Sequence, residues 1–529
     1  MKYIPRSTLL VIILLSLVGS IAIAFSTRWG PWAYSDSTAY VVSARTFLEE
    51  GKLGYYVPSG GFERLTHHPP LYPLALSAIG LFGVELLDAA RWLNVVLFGA
   101  TIFTTGAFSY RLLRSSWLAI SLSAGMSAIP SLVDIFSGAM SEPLCLFTSV
   151  VGTFMLVLYL ETQQRCYLIL AASAAGMAFL TRYIGVFAIA AGLIALLALS
   201  HNTWKERLKN LVLYGLVSVV PNAIWWLYVY LNTASYGARQ IVARVDLGKA
   251  LVELRLLLME VFWNWLPFTK NFTYSYNLAL KTLLLLGMLC FLLMGAAIGK
   301  WWKDRQTARG YRNEFTYFLT WSIFCIAYLI FLSYSFIYTT PHPDIDPRIL
   351  LPIQFGLLIA LLSASLLFLR LLRLPSWCSL GPIALVLIYI LANLPTSIDL
   401  VSKYYRYGGG YTNDTWHSST TLQVLNTLPE DTPIITNQAA AVLLWTDRNA
   451  YDFCELSCNQ PQGTQYGDNP EDEVQIIFRE SKAALVLFYP FCVIADQPWN
   501  KNLLTELNNL TLGLNQVSYS CEGAIYFYP

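Results

Sequence analysis

Eleven predominantly apolar runs punctuate the first 398 residues of this 529-residue chain. A bilayer core takes about 20 helical residues to cross. Inside it every backbone amide needs a partner within the chain, a demand that helices meet one segment at a time. Runs of this kind leave little alternative to a polytopic α-helical membrane domain. The expected spans are 8–26, 87–110, 117–133, 142–160, 166–180, 185–200, 210–232, 277–299, 315–338, 349–371 and 379–398, the run at 166–180 being the shortest. Pro130, Pro221, Pro352 and Pro382 fall in or at the ends of spans, where neighbouring helices can satisfy the freed carbonyls. Lys2 and Arg6 precede the first run in the manner of a secretory signal. The run is long and lacks a small-residue cleavage site before Phe25, so it reads as an uncleaved first helix.

Composition agrees. The chain is 56% hydrophobic and 12% charged, against about 25% charged residues in ordinary soluble domains. A net charge of +2 and the absence of any basic stripe argue against a nucleic-acid partner. The basic residues gather in short links instead. With the N-terminus inside, these links carry Arg111 and Arg114; Arg165; Lys205, Arg207 and Lys209; Lys300, Lys303, Arg305, Arg309 and Arg312; and Arg370 and Arg373. That is the bias of cytoplasmic loops. The long segments 27–86, 233–276 and 399–529 then fall outside, and the expected location is the cell (inner or plasma) membrane.

Two parts follow: a membrane domain over 1–398, whose first outer loop is 27–86, and an extracytoplasmic tail over 399–529. The tail alternates short apolar runs with helical patterns, the layout of a small α/β module. Strands are expected at Pro433–Thr436, Ala484–Tyr489 and Ala524–Tyr528, and helices at Gln438–Trp445 and Glu471–Lys482. Of nine cysteines, Cys145, Cys166, Cys290, Cys325 and Cys378 sit in or beside spans, as packing residues do. Cys454, Cys458, Cys492 and Cys521 lie in the tail. On the oxidising side four thiols suit two disulfides, of undetermined pairing, better than zinc.

The densest polar motif is in the first outer loop. It runs Tyr34-Ser35-Asp36-Ser37-Thr38-Ala39-Tyr40, then an amphipathic stretch to Glu50-Gly51, then His67-His68-Pro69-Pro70-Leu71-Tyr72-Pro73. Apolar residues at 40, 41, 44, 47 and 48 recur at helical spacing, which predicts an interfacial helix over 37–50. Asp36 at its start suits either a helix cap or catalysis.

This order of motifs resembles the first outer loop of GT-C glycosyltransferases, in the branch of lipid A aminoarabinose transferases, protein O-mannosyltransferases and rhizobial galacturonosyltransferases. Met140-Ser141-Glu142-Pro143, Thr181-Arg182-Tyr183-Ile184-Gly185, and Asp346-Pro347-Arg348 through Leu351-Pro352 resemble later landmarks of the same branch. The resemblance implies transfer of a monosaccharide, with inversion, from a polyprenyl phosphate to a lipid, glycan or protein hydroxyl. Asp36 matches the family's general base. Ser37 stands where many members carry a second acid, so an Asp-Glu pair is missing. Glu142 matches an acidic position that orients or activates the acceptor, although a carboxylate at a helix start also favours the dipole. Arg348 and Arg182, at outer ends of spans, suit a leaving phosphate or lipid headgroups. His67 and His68 stand where relatives carry a basic residue before Pro-Pro, and one of them is a further candidate for the phosphate.

No cofactor is expected. The rival is a divalent ion held among His342, Asp344, Asp346, His67, His68 and Glu63. Two other classes stay open. A transporter or flippase would place ionisable groups at mid-membrane, and a ligase or polymerase would use diphosphate-linked glycans. The topology is directly testable. Reporter fusions after residue 205 and after residue 405 should report cytoplasmic and extracytoplasmic positions respectively; a cytoplasmic tail would overturn the helix count.

Overall fold

In this computed structural model the chain is described at residues 4–233, 240–241, 248, 252, 312–340, 348–452, 477–478, 482–488, 513–520 and 522–528. It divides into two compact units. The first comprises Met1–Arg28, Thr66–Tyr72 and Ala90–Arg406, and the second Trp29–Leu65, Pro73–Ala89 and Tyr407–Pro529.

The first unit is helical. Among the described residues seven helices are long and apolar enough to cross a membrane: Arg6–Ser26, Leu86–Leu113, Glu142–Thr162, Trp204–Asn232, Arg312–Tyr338, Leu351–Leu371 and Ser376–Tyr407. The expected span at 117–133 is a pair of helices, Ser116–Ser127 and Pro130–Phe136, bent by 61°. Pro130 opens the second of them, where its missing N–H costs nothing but the preceding helix cannot continue. The runs at 166–180 and 185–200 form the shorter helices Arg165–Thr181 and Val186–Leu199. The run at 277–299 lies outside the described residues. The last helix continues past 398 to Tyr407, and Tyr404 donates to Asp134 at 2.6 Å.

Lipid offers helices no hydrophobic force toward one another, so close packing and buried polar contacts hold them. A Cβ on Gly176 would stand 2.8 Å from the Ser218 carbonyl, so only glycine admits that approach. Beside it, the Asn222 amide donates to Gly176 O at 3.1 Å. On the expected cytoplasmic side Arg370 pairs with Glu314 and donates to Leu113 O at 2.8 Å, joining three helices. Cys145 and Cys325 are buried packing residues as expected. Cys166, in the first turn of the helix Arg165–Thr181, is exposed, so packing within the protein does not explain it.

The second unit joins the first-loop helix to the tail. Its five-stranded sheet has the order Ala450–Asp452, Ile434–Thr436, Ala484–Phe488, Gly523–Phe527, Asn515–Ser520. The first three strands are parallel and the last two antiparallel. Side chains alternate between two buried layers. Ile434, Val486 and Ile525 meet Leu422, Leu425 and Val442 on one face, while Ile435, Leu485, Leu487 and Ala524 cluster on the other. The three expected strands and the helix at Ala439–Thr446 are present. The two edge strands are additions. Asn515–Ser520 is polar and mostly exposed, and an edge needs no apolar alternation. Of the helix expected at Glu471–Lys482 only residues 477, 478 and 482 are described, and all four tail cysteines lie outside the described residues.

The amphipathic stretch of the first loop is the helix Ser35–Glu50. Its apolar residues Tyr40, Val41 and Ala44 are buried by protein. Thr38 donates to Ala440 O at 3.1 Å, Arg45 pairs with Asp447, and Ala33 bridges to Gly410. A hairpin, Gly54–Tyr56 with Phe62–Arg64, follows.

In the tail, Arg448 donates to four carbonyls: Leu425, Leu428, Pro429 and Thr432, at 3.1, 3.3, 2.8 and 2.9 Å. Burial lowers its pKa from the usual guanidinium range, against the opposing pull of Glu430 and Asp431. A compact ammonium cannot span four acceptors. Arg448→Lys should therefore cost roughly 1–3 kcal/mol, the penalty of acceptors left unpaired, and expose the 425–432 segment to limited proteolysis. An unchanged melting temperature and cleavage pattern would contradict this role.

Candidate active site

Three of the sequence-selected residues meet in the first unit. The helix Arg165–Thr181 ends at Arg182, whose extended backbone (φ −148°, ψ 138°) turns the chain into a short 3-10 turn, Tyr183–Gly185. A Cβ on Gly185 would stand 2.3 Å from Ala178 O, so the glycine lets the turn fold back on the helix it leaves. That fold fixes the origin of the Arg182 side chain. Glu142 opens the helix Glu142–Thr162 after Ser141 and before Pro143, with its carboxylate in the favourable field of a helix start. Arg182 Nη1 lies 2.7 Å from Glu142 Oε2 and donates to Ser141 Oγ at 3.1 Å. The ionic contact is close but off the line of a hydrogen bond, and Oε2 accepts no aligned donor among the described residues. The charges attract here without the directional bond.

Arg348 reaches the same place from the turn before the helix Leu351–Leu371. Its carbonyl accepts from Leu351 N at 3.2 Å, and the buried Tyr328 hydroxyl donates to Ile349 O. A cavity of about 40 Å³ is lined by Glu142, Cys145, Arg182, Tyr328, Arg348 and Pro352, among others. It has room for only a few waters. Two guanidiniums and one carboxylate line this space, and guanidinium N–H groups match phosphate geometry.

His67 and His68 sit in the Thr66–Tyr72 segment of this unit, the first exposed and the second half-buried. Tyr183, next to Arg182, donates to Thr66 O at 3.0 Å, which ties this segment to the turn that carries the arginine. His342, Asp344 and Asp346 lie outside the described residues.

Asp36 belongs to the second unit. It is half-buried, at the second position of its helix. The capping position is Tyr34, whose N–H donates to Ser37 Oγ at 3.1 Å. The residue standing where relatives carry a second acid thus makes the capping contact, and Asp36 is not the cap.

Reading the sequence did not single out Ser141, Tyr183 or Tyr328. The first two sat inside motifs chosen for their charged neighbours. Tyr328 carried no signal, since a tyrosine within an apolar run looks like any other aromatic.

Residues 67–225 match the family model described as dolichyl-phosphate-mannose-protein mannosyltransferase. The match contains His67, His68, Glu142 and Arg182 but not Asp36 or Arg348. No curated protein sequence matches the chain. Among solved structures, the chain is similar to ArnT from Cupriavidus metallidurans bound to undecaprenyl phosphate, with a TM-score of 0.60 and 12% identity over 97% of each chain. It is also similar to the archaeal oligosaccharyltransferase AglB from Archaeoglobus fulgidus in complex with an inhibitory peptide and a dolichol-phosphate. There the TM-score is 0.50 and the identity 14%, over 92% of this chain and 70% of that one. The chain thus shares the fold of these two structures, and its segment 67–225 carries the mannosyltransferase family signature.

Proposed function

We propose that this protein is an inverting glycosyltransferase that moves a monosaccharide, hexose or pentose, from a polyprenyl phosphate to an acceptor hydroxyl on the extracytoplasmic face of the membrane. The observation that carries this reading is the meeting of Arg182 and Arg348 at one cavity. Two cations beside a small space suit the phosphate of a lipid carrier. The carrier phosphates named for the two similar structures support the same donor class.

In the reaction the acceptor oxygen attacks the anomeric carbon. The bond from that carbon to the phosphate oxygen breaks, and its electron pair stays on the phosphate. Charge grows there as the transition state forms, so cations already in place lower the barrier. The acceptor proton goes to Asp36 as general base. With serine at 37 a single loop carboxylate performs this step. His67 or His68 adds a donor to the phosphate, and no metal or cofactor is needed. The acceptor is a lipid, glycan or protein hydroxyl of the cell envelope.

A transporter is the weaker reading. Glu142, Arg182 and Arg348 all stand at helix ends, whereas a transport pathway places ionisable groups at mid-membrane.

Asp36→Asn tests the base. It keeps the side-chain shape at a position that is not the helix cap, so folding should be retained. Donor binding should be unchanged while turnover falls by roughly 10²–10⁴-fold, the usual worth of general base catalysis. Near-wild-type turnover would remove Asp36 from the mechanism and leave Glu142 as the leading carboxylate.

A further inference from the structure

Among the described residues lining the cavity, the charged ones are Glu142, Arg182 and Arg348. An anion site gains nothing, at first sight, from a carboxylate in its wall. Yet Glu142 is held there, with its side chain only 15% exposed and Oε2 2.7 Å from the Arg182 guanidinium. Ser141 grips the same guanidinium nitrogen at 3.1 Å, so the arginine would keep a neutral partner even without the carboxylate. The charge itself therefore calls for an explanation.

We infer that Glu142 is a positioning residue that selects the phosphate charge this site holds, favouring a singly charged phosphodiester over a monoester or a diphosphate. The inference rests on the reading of Arg182 as a ligand of the carrier phosphate. A polyprenyl-phosphate sugar is a diester with one negative charge. The polyprenyl phosphate left after transfer is a monoester, which carries about −1.5 to −2 at pH 7. A diphosphate-linked glycan likewise brings a second charge. Glu142 offsets part of the Arg182 charge, so one phosphate charge is well matched, and each further one meets a carboxylate close by. Unit charges about 4 Å apart at an effective dielectric of about 20 interact strongly enough to shift binding ten-fold or more. The donor thus binds, the spent carrier is released, and diphosphate carriers are disfavoured by the same group.

The test compares two ligands of equal chain length on the purified full-length protein, polyprenyl phosphate and its methyl phosphodiester, by equilibrium binding at neutral pH. Glu142→Gln should bind the monoester at least about ten-fold tighter than wild type while diester affinity moves far less. In turnover its KM should hold or fall, and kcat should drop as carrier release becomes slow. Glu142→Asp, which restores the charge, should return the monoester-to-diester ratio to the wild-type value. An unchanged ratio in Glu142→Gln overturns the inference. So does an equal loss of both ligands, which would make the pair a fastening for Arg182 alone. These binding ratios are read without any sugar transfer. A wild type that sorts the two ligands as described but consumes no donor would therefore count against the proposed function and not against the charge selection.

Discussion

A bilayer obliges each crossing segment to satisfy its own backbone and to keep charge away from the middle. The placement of Glu142, Arg182 and Arg348 follows from that constraint. Glu142 opens a helix, Arg182 closes one and Arg348 precedes one. At such ends the unpaired N–H and C=O groups and the polar boundary make charge affordable. Helix termini are therefore favourable places for charge in a membrane domain, and three of them line one cavity here. Arg370 and Glu314 obey the same rule on the expected cytoplasmic side.

The compact units do not follow the chain's own division into membrane and tail. The first-loop helix Ser35–Glu50 is grouped with the tail sheet, fastened by Thr38, Arg45 and Ala33. An aromatic run supports it: Trp29 lies tilted against His417, and His417 meets Trp445 edge-to-face at 4.7 Å between centroids. The candidate base, Asp36, is thus mounted on a helix whose apolar face is buried and whose orientation is set by protein contacts. A catalytic carboxylate needs that rigidity, since general base action works only within hydrogen-bond reach.

Much of this was readable from the chain because burial in lipid and burial in a sheet both leave plain patterns. Ten apolar runs coincide with helices, and three apolar runs in the tail coincide with strands. The patterns failed where the physics leaves no such trace. Asn515–Ser520 is an edge strand fixed by hydrogen bonds to its neighbour, and its apolar residues Val517 and Tyr519 are exposed rather than buried. The break at Pro130 looked like one continuous span, because hydropathy does not report a bend. Glu142 and Arg182 were chosen separately, each by its motif; their pairing depends on a turn at Gly185 that brings together residues 40 positions apart. On local sequence Asp36 suited a cap as well as a base, because Asp and Ser are alike as capping residues, and only the backbone geometry shows that Tyr34 holds the capping position.

The most direct test of the account is to incubate the purified protein with a panel of polyprenyl-phosphate monosaccharides and follow the carrier and the sugar together. The account predicts that at least one donor releases polyprenyl phosphate in step with a new glycosidic bond of inverted anomeric configuration. If no donor on the panel is consumed, or if the only change is movement of an intact lipid across a vesicle membrane, the assignment as a glycosyltransferase is contradicted.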